Sequence, residues 1–209
     1  EDKRFEAHYG VDVWAIFRAI RLNIKKGKTV SGGSTLTMQT IRMSRNNPKR
    51  TFFEKIKELL LATRIEWAYS KDKILAFYAS NAPFGGNVVG LDAAAWKYFA
   101  RSSKQLSWAE SCMLAVLPNS PALIHVSRNR KRLKEKRDWL LDKLCANGQL
   151  DSLSCQLAKM ESLPDKPKAL PRTCPHLLER VHLDIVQKDK SQAVVQSTID
   201  GRLQQEVND

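Results

Sequence analysis

Two glutamates, Glu1 and Glu58, are candidates for a carboxylate pair that could do acid-base work. Glycosyl transfer needs one carboxylate to take a proton from the incoming hydroxyl and a second group to help the departing oxygen leave. Glu1 heads the stretch EDKRFEAHYG, which also carries Asp2, Phe5 and His8. Glu58 lies in FFEKIKELLLATRIEWA, where a helix places it at the azimuth of Leu61, Ala62 and Ile65, a partly desolvated setting that should raise its pKa. A plainer reading fits the same residues: a solvated chain end, and half of an ion pair with a nearby Arg or Lys. Spacing alone leaves both readings open.

Positive charge gathers between the two glutamates. From Arg21 to Lys57 there are ten Lys and Arg residues and one acid, Glu54, framing the turn Gly32-Gly33-Ser34-Thr35. Backbone N–H groups at such a turn can cradle a phosphate while Arg42, Arg50 and Lys57 neutralise it. The turn lacks the GxxxxGKS/T order of a nucleotide-binding loop, which argues against a nucleotide triphosphatase. A second basic run, RNRKRLKEKR, reads as a solvated face; no aromatic platforms interleave with it, which argues against nucleic acid. His8 has no partner at zinc spacing and reads as a residue that orients its neighbours. Ser34 has no Lys or His base at motif spacing and does not read as a nucleophile.

Helices must position these groups. VDVWAIFRAIRLNIKKG carries an apolar side of Val11, Trp14, Ile16, Phe17, Ile20 and Ile24, with Gly27 as a stop. Ser34 or Thr35 can cap a second helix after the Gly pair, and NNPKR breaks the pattern into a loop. FFEKIKELLLATRIEWA is apolar on most sides, as a central helix would be. SKDKILAFYASN, LDAAAWKYFA, LSWAESCMLAVLPN, NRKRLKEKRDWLLDKLCANG and QLDSLSCQLAKMES follow as helices, with capping-box spacing at Ser107 and Glu110. The tract LPDKPKALPRTCP holds four of the eight prolines, HLLERVHLDIVQ is helical in pattern, and QAVVQSTID alternates like a strand. This gives an all-α domain over residues 1–163, a junction over 164–190, and the start of something further over 191–209.

The whole chain, 209 residues with 43% apolar residues and a net charge of +13, can bury a core and favours anionic partners. No apolar run is long enough to span a bilayer. The four cysteines lack zinc spacing; Cys112 reads as a core residue, and Cys155 and Cys174 flank the Pro-rich tract closely enough to be considered for a bridge.

Four blocks in order, EDKRFEAHYG, SGGSTLTMQ, KIKELLLATRIEWAYSKDKILAFY and NAPFGGNVVGLDAAAWKYF, with LSWAESCMLAVLPNSPA behind them, resemble the peptidoglycan glycosyltransferase domain (family 51) of bifunctional class A penicillin-binding proteins. The TMQ form of the second block and the APFGG turn are most similar to the 1C branch. The resemblance implies a mainly α, lysozyme-like lobe with a smaller, hydrophobic, membrane-facing jaw at roughly residues 24–55. It implies lipid II as substrate, polymerised into a β-1,4 glycan strand with inversion and release of undecaprenyl pyrophosphate. A lysozyme-like cleaving enzyme and a non-catalytic cell-wall scaffold are the alternatives.

On the same resemblance, Glu1 is the base acting on the acceptor 4-hydroxyl and Glu58 assists the departing pyrophosphate, directly or through a divalent cation such as Mg2+ or Mn2+ held with Glu1; no organic cofactor is implied. Asp2, Phe5, His8, Gly32, Gly33, Ser34, Thr35, Gln39, Arg42, Arg50, Lys57 and Asn81 correspond to substrate-cleft positions. Met38 stands where many members have glutamine, and Ala79-Ser80 where Leu-Asn is usual. Implied partners are lipid II and the growing strand, an anionic membrane surface and other cell-wall synthesis proteins. The implied location is the periplasmic or outer side of the bacterial cytoplasmic membrane, with an anchor expected upstream. CPHLLERVHLDI and QSTIDGRLQQEV resemble the opening of a transpeptidase domain whose serine and lysine pair would lie further downstream.

Overall fold

The computed structural model describes residues 2–28, 32–49, 51–118, 129–170, 174–187, 195 and 197–208. The chain divides into two compact units, Glu1–Lys168 and Ala169–Asp209. Among the described residues the secondary structure is helical, apart from an isolated bridge between Pro83 and Val89. The strand expected at 192–200 falls partly outside the described residues; 195 and 197–200 are not in a strand.

Side-chain caps set the helix starts in the first half. Asp12 accepts the Ala15 N–H at 2.9 Å and opens α1, Val13–Lys26. Gly27 closes α1 in the left-handed conformation, its N–H bonded to the Ile24 carbonyl. Thr35 caps α2, Leu36–Ser44, and Thr51 caps α3, Phe52–Ala68. Asn46 and Asn47, both at positive φ, turn the chain out of α2, and residues 47–49 are neither helix nor strand. α4, Lys71–Asn81, starts after Ser70, which holds the cap position without a side-chain bond.

α5 (Leu91–Phe99), α6 (Trp108–Val116), α7 (Arg130–Ala146) and α8 (Ser152–Met160) complete the first unit, and Ser107 with Glu110 forms the expected capping box on α6. α6 packs on α7 and α5, and α8 packs on both α6 and α7. Their apolar faces make one core around Ala94, Tyr98, Met113, Leu117 and Leu133 and a second around Cys112, Leu141, Leu150 and Cys155. Arg137, buried beneath α8, donates to the carbonyls of Lys159 and Glu161 and so satisfies the end of that helix. The second unit contains α9, Pro175–Gln187, and α10, Gly201–Asn208. All four cysteines are free thiols, Cys155 and Cys174 included.

α3 is not the central helix that its composition predicts. It packs against α2 and α4, and the side chains buried there include Glu58, Ala62 and Glu66. Phe52, Phe53, Leu60 and Trp67 stand exposed on its other faces. α1 shares this character: Trp14, Phe17, Ile20 and Ile24 point outward, and Ala19 is its buried residue. Hydrophobicity on most faces can mark a helix enclosed by protein or one turned toward another apolar medium, and periodicity does not separate the two.

Candidate functional site

The first segment is held by bonds at both ends. Phe5 is buried in a short 3-10 turn, Phe5–Ala7, and meets His8 edge to face. His8 Nε2 lies 3.1 Å from both oxygens of Asp2, and Asp2 also accepts the N–H of Leu36, the first residue of α2, at 2.9 Å. His8 and Asp2 thus tie the opening segment to the start of α2. Further along, Arg4 pairs with Asp12, and its hydrogen bonds hold the Asp12 carboxyl below the ordinary range against the opposing effect of desolvation.

Two glycines are required where backbones nearly touch. Gly10 has φ +82°, and a Cβ there would lie 2.5 Å from the Ala62 carbonyl oxygen of α3. Its own carbonyl accepts the Thr35 hydroxyl at 2.6 Å, so Thr35 caps α2 and ties it to the first segment at once. A Cβ on Gly33 would lie 2.8 Å from Ile16 Cα, so that glycine lets the turn pass close to α1, whereas Gly32 faces open space. Asp2, Arg18, Trp14, Gly32, Ser34 and Thr35 line a cavity of about 310 Å³.

Glu58 is 3% exposed and carries a dense set of cationic partners. Arg42 grips it in a fork, Nε to Oε1 at 2.6 Å and Nη2 to Oε2 at 2.9 Å. Lys55 Nζ lies 3.0 Å from Oε2 and donates to Ser34 Oγ at 2.8 Å, which links the carboxylate to the rim of the cavity. The expected rise in its pKa is not what this setting produces. Burial pushes the Glu58 carboxyl up, but the hydrogen bonds from Arg42 and Lys55 and the two positive charges outweigh it and leave the group below its ordinary value. At neutral pH Glu58 is therefore ionised and has no proton to give.

The other expected positions separate. Lys57, one residue from Glu58, points away and pairs with Glu54 at 3.4 Å with 60% of its side chain exposed. Lys55 reaches Glu58 instead, and the signal that could have found it is its i, i+3 relation to that glutamate. Gln39 is half-buried on α2. Asn81 ends α4, its amide nitrogen bonded back to the Phe77 carbonyl. Met38 is completely buried on α2. Glu1 and Arg50 lie outside the described residues.

A divalent cation does not fit Glu58 in this arrangement, since both carboxylate oxygens are engaged and two fixed positive charges already adjoin them. Among the described residues no group of three or more His, Cys, Asp or Glu side chains could hold a metal ion. In the same residues no helix is long and apolar enough to cross a membrane.

Residues 1–145 match the family described as Transglycosylase. Penicillin-binding protein 1C of Escherichia coli strain K12 is 35% identical over 209 residues, all of this chain and 26% of the relative. Penicillin-binding protein 1A of Pseudomonas aeruginosa is 38% identical over 163 residues, 78% of this chain and 20% of the relative. The crystal structure of penicillin-binding protein 1A from Haemophilus influenzae superposes with a TM-score of 0.43 at 18% identity, covering 75% of this chain and 20% of that one. The chain thus spans about a quarter or less of the length of these proteins.

Proposed function

Taking as premise that the chain belongs to the transglycosylase family, as a peptidoglycan glycosyltransferase domain homologous to class A penicillin-binding proteins, we propose that it polymerises lipid II into β-1,4 glycan with inversion. The observation that carries this reading is the Glu58–Arg42–Lys55 cluster joined through Ser34 to the cavity rim. Pyrophosphate is a good leaving group, so fixed cations that offset its growing charge do most of what a general acid would do elsewhere. Ionised Glu58 holds Arg42 and Lys55 in place for that role. Glu1 takes the proton of the acceptor 4-hydroxyl, and attack on the face opposite the leaving group converts the α link to β.

Membrane attachment follows from the same reading. The outward Trp14, Phe17, Ile20 and Ile24 of α1, with Arg18, Arg21, Lys25 and Lys26 on the same helix, suit an apolar interior bordered by anionic headgroups. The domain would act on the periplasmic or outer side of the bacterial cytoplasmic membrane, with a jaw at roughly residues 24–55 and other cell-wall synthesis proteins as partners. Among class A proteins we place it in the 1C branch, and we assign residues 191–209 to the start of a transpeptidase domain.

The test is polymerisation of labelled lipid II by the full-length protein in detergent, with and without Mg2+ or Mn2+. Wild type makes glycan polymer, Glu1→Gln abolishes it, and Arg42→Ala lowers the rate roughly 10²- to 10³-fold. Loss of polymer on chelation, restored by either ion, would establish the divalent cation as a cofactor. Release of disaccharide from mature glycan would replace this reading with cleavage, and lipid II binding without turnover would replace it with a scaffold.

A further inference from the structure

Five polar contacts close a ring through four segments, the opening segment and the helices α2, α3 and α4. The Leu36 N–H donates to Asp2, and Asp2 meets His8 Nε2. The His8 carbonyl accepts from Lys71 Nζ at 2.5 Å, at the start of α4. Lys71 Nζ pairs with Glu66 Oε2 on α3 at 2.7 Å, and Glu66 Oε1 accepts the Thr37 hydroxyl at 2.6 Å. Thr37 adjoins Leu36 in α2, so the circuit returns to its origin. The Glu66 side chain is 3% exposed and that of Lys71 20%. Lys71 Nζ also stands 4.6 Å from the centre of the Phe5 ring.

An ion pair this deep is weak evidence of a contribution to stability, because apolar residues of the same volume often serve as well or better. What the pair supplies, and apolar groups cannot, is direction. Both oxygens of Glu66 are committed, one to α2 and one to Lys71. The ammonium then spends its donors on Glu66 and on the His8 carbonyl, which lies in extended backbone beyond the 3-10 turn and has no helical donor of its own. Fixing the His8 backbone fixes the ring that holds Asp2.

We propose that Glu66 and Lys71 are positioning residues for glycosyl transfer: they set the register of the Asp2–His8 pair against the N-terminus of α2. The inference rests on the polymerase reading for its kinetic consequence, though not for its structural one. An error of about an ångström in such a pair is enough to cost on the order of 10²-fold in rate while leaving substrate binding nearly unchanged.

The test compares Lys71→Met, Glu66→Gln and Lys71→Arg in the full-length protein. Two readouts are used, lipid II polymerisation kinetics and amide hydrogen exchange over residues 3–10. Lys71→Met and Glu66→Gln should lower kcat by roughly 10- to 100-fold with KM within about twofold, and exchange over 3–10 should accelerate. Lys71→Arg, whose fork still reaches both Glu66 and a carbonyl, should recover part of the rate. If Lys71→Met does not fold, Thr37→Val removes one hydroxyl from the ring and decides the matter by the same two readouts. Wild-type kcat in a folded Lys71→Met or Thr37→Val protein, with only a lowered melting temperature, would overturn the proposal. A wild type that makes no glycan would defeat the polymerase reading, and unaltered exchange over 3–10 in the variants would separately defeat the positioning.

Discussion

The region of α1–α3 and the region of α5–α8 are built on opposite plans. In the second, Met113, Leu114, Leu117, Leu133 and Leu141 are buried, and Arg137 is the charged residue enclosed with them. In the first, His8, Asp12, Thr35, Thr37, Thr40 and Glu58 are enclosed beside Phe5, Met38, Ile41 and Ala62, while Trp14, Phe17, Phe52, Phe53 and Leu60 face outward. One half uses apolar burial to be stable. The other also encloses hydrogen-bonded polar and charged groups, which add little net stability but fix geometry, and leaves much of its apolar area exposed.

The largest effect expected from this contrast is in the apolar half. Leu117→Ala, at a site 1% exposed, should cost about 2–5 kcal/mol in chemical unfolding and leave kcat at a permissive temperature near wild type. A large fall in kcat without loss of stability would erase the division of labour.

Acid should affect the polar half through Glu58 and Asp12. Both carboxyls lie below their ordinary values when folded, so each stabilises the fold above the ordinary carboxylate range, and that contribution disappears as pH falls through the folded value. Urea midpoints measured from pH 7 downward should therefore decline below about pH 4, and less steeply in Glu58→Gln than in wild type. Equal slopes would mean that the cluster contributes no linkage. Asp138 on α7, also held low by Lys134 and Arg137 against desolvation, supplies a background common to both proteins.

The smallest effect on folding belongs to the outward face of α1. Trp14→Ser and Phe17→Ser should change unfolding free energy by within about 0.5 kcal/mol. Partition onto vesicles containing anionic lipid should nevertheless fall severalfold. A marked loss of stability instead would show that this face is covered by protein.

Local chemistry was readable along the chain and facing was not. Gly27, the Ser107–Glu110 box and the break at NNPKR announce themselves because caps and turns depend on a few neighbouring residues. The burial of Glu58 was likewise visible from its azimuth beside Ala62. The direction in which it titrates was not, since that depends on Arg42, sixteen residues away, meeting it in a fork. Nor could composition tell that the Leu60 side of α3 is open, because an apolar stripe does not name its solvent. Lys57 and Lys55 show the finer limit: two lysines two residues apart on one helix point to different partners, and only the one three residues before Glu58 reaches it.

The missing side chain at Gly10 acts as a clearance gauge between the opening segment and the backbone of α3 at Ala62. A single methyl inserted there would work as a wedge, prying the segment loose and pulling its carbonyl from the Thr35 hydroxyl. A protein altered in this way could keep its helical circular dichroism intact and yet have lost its tool edge.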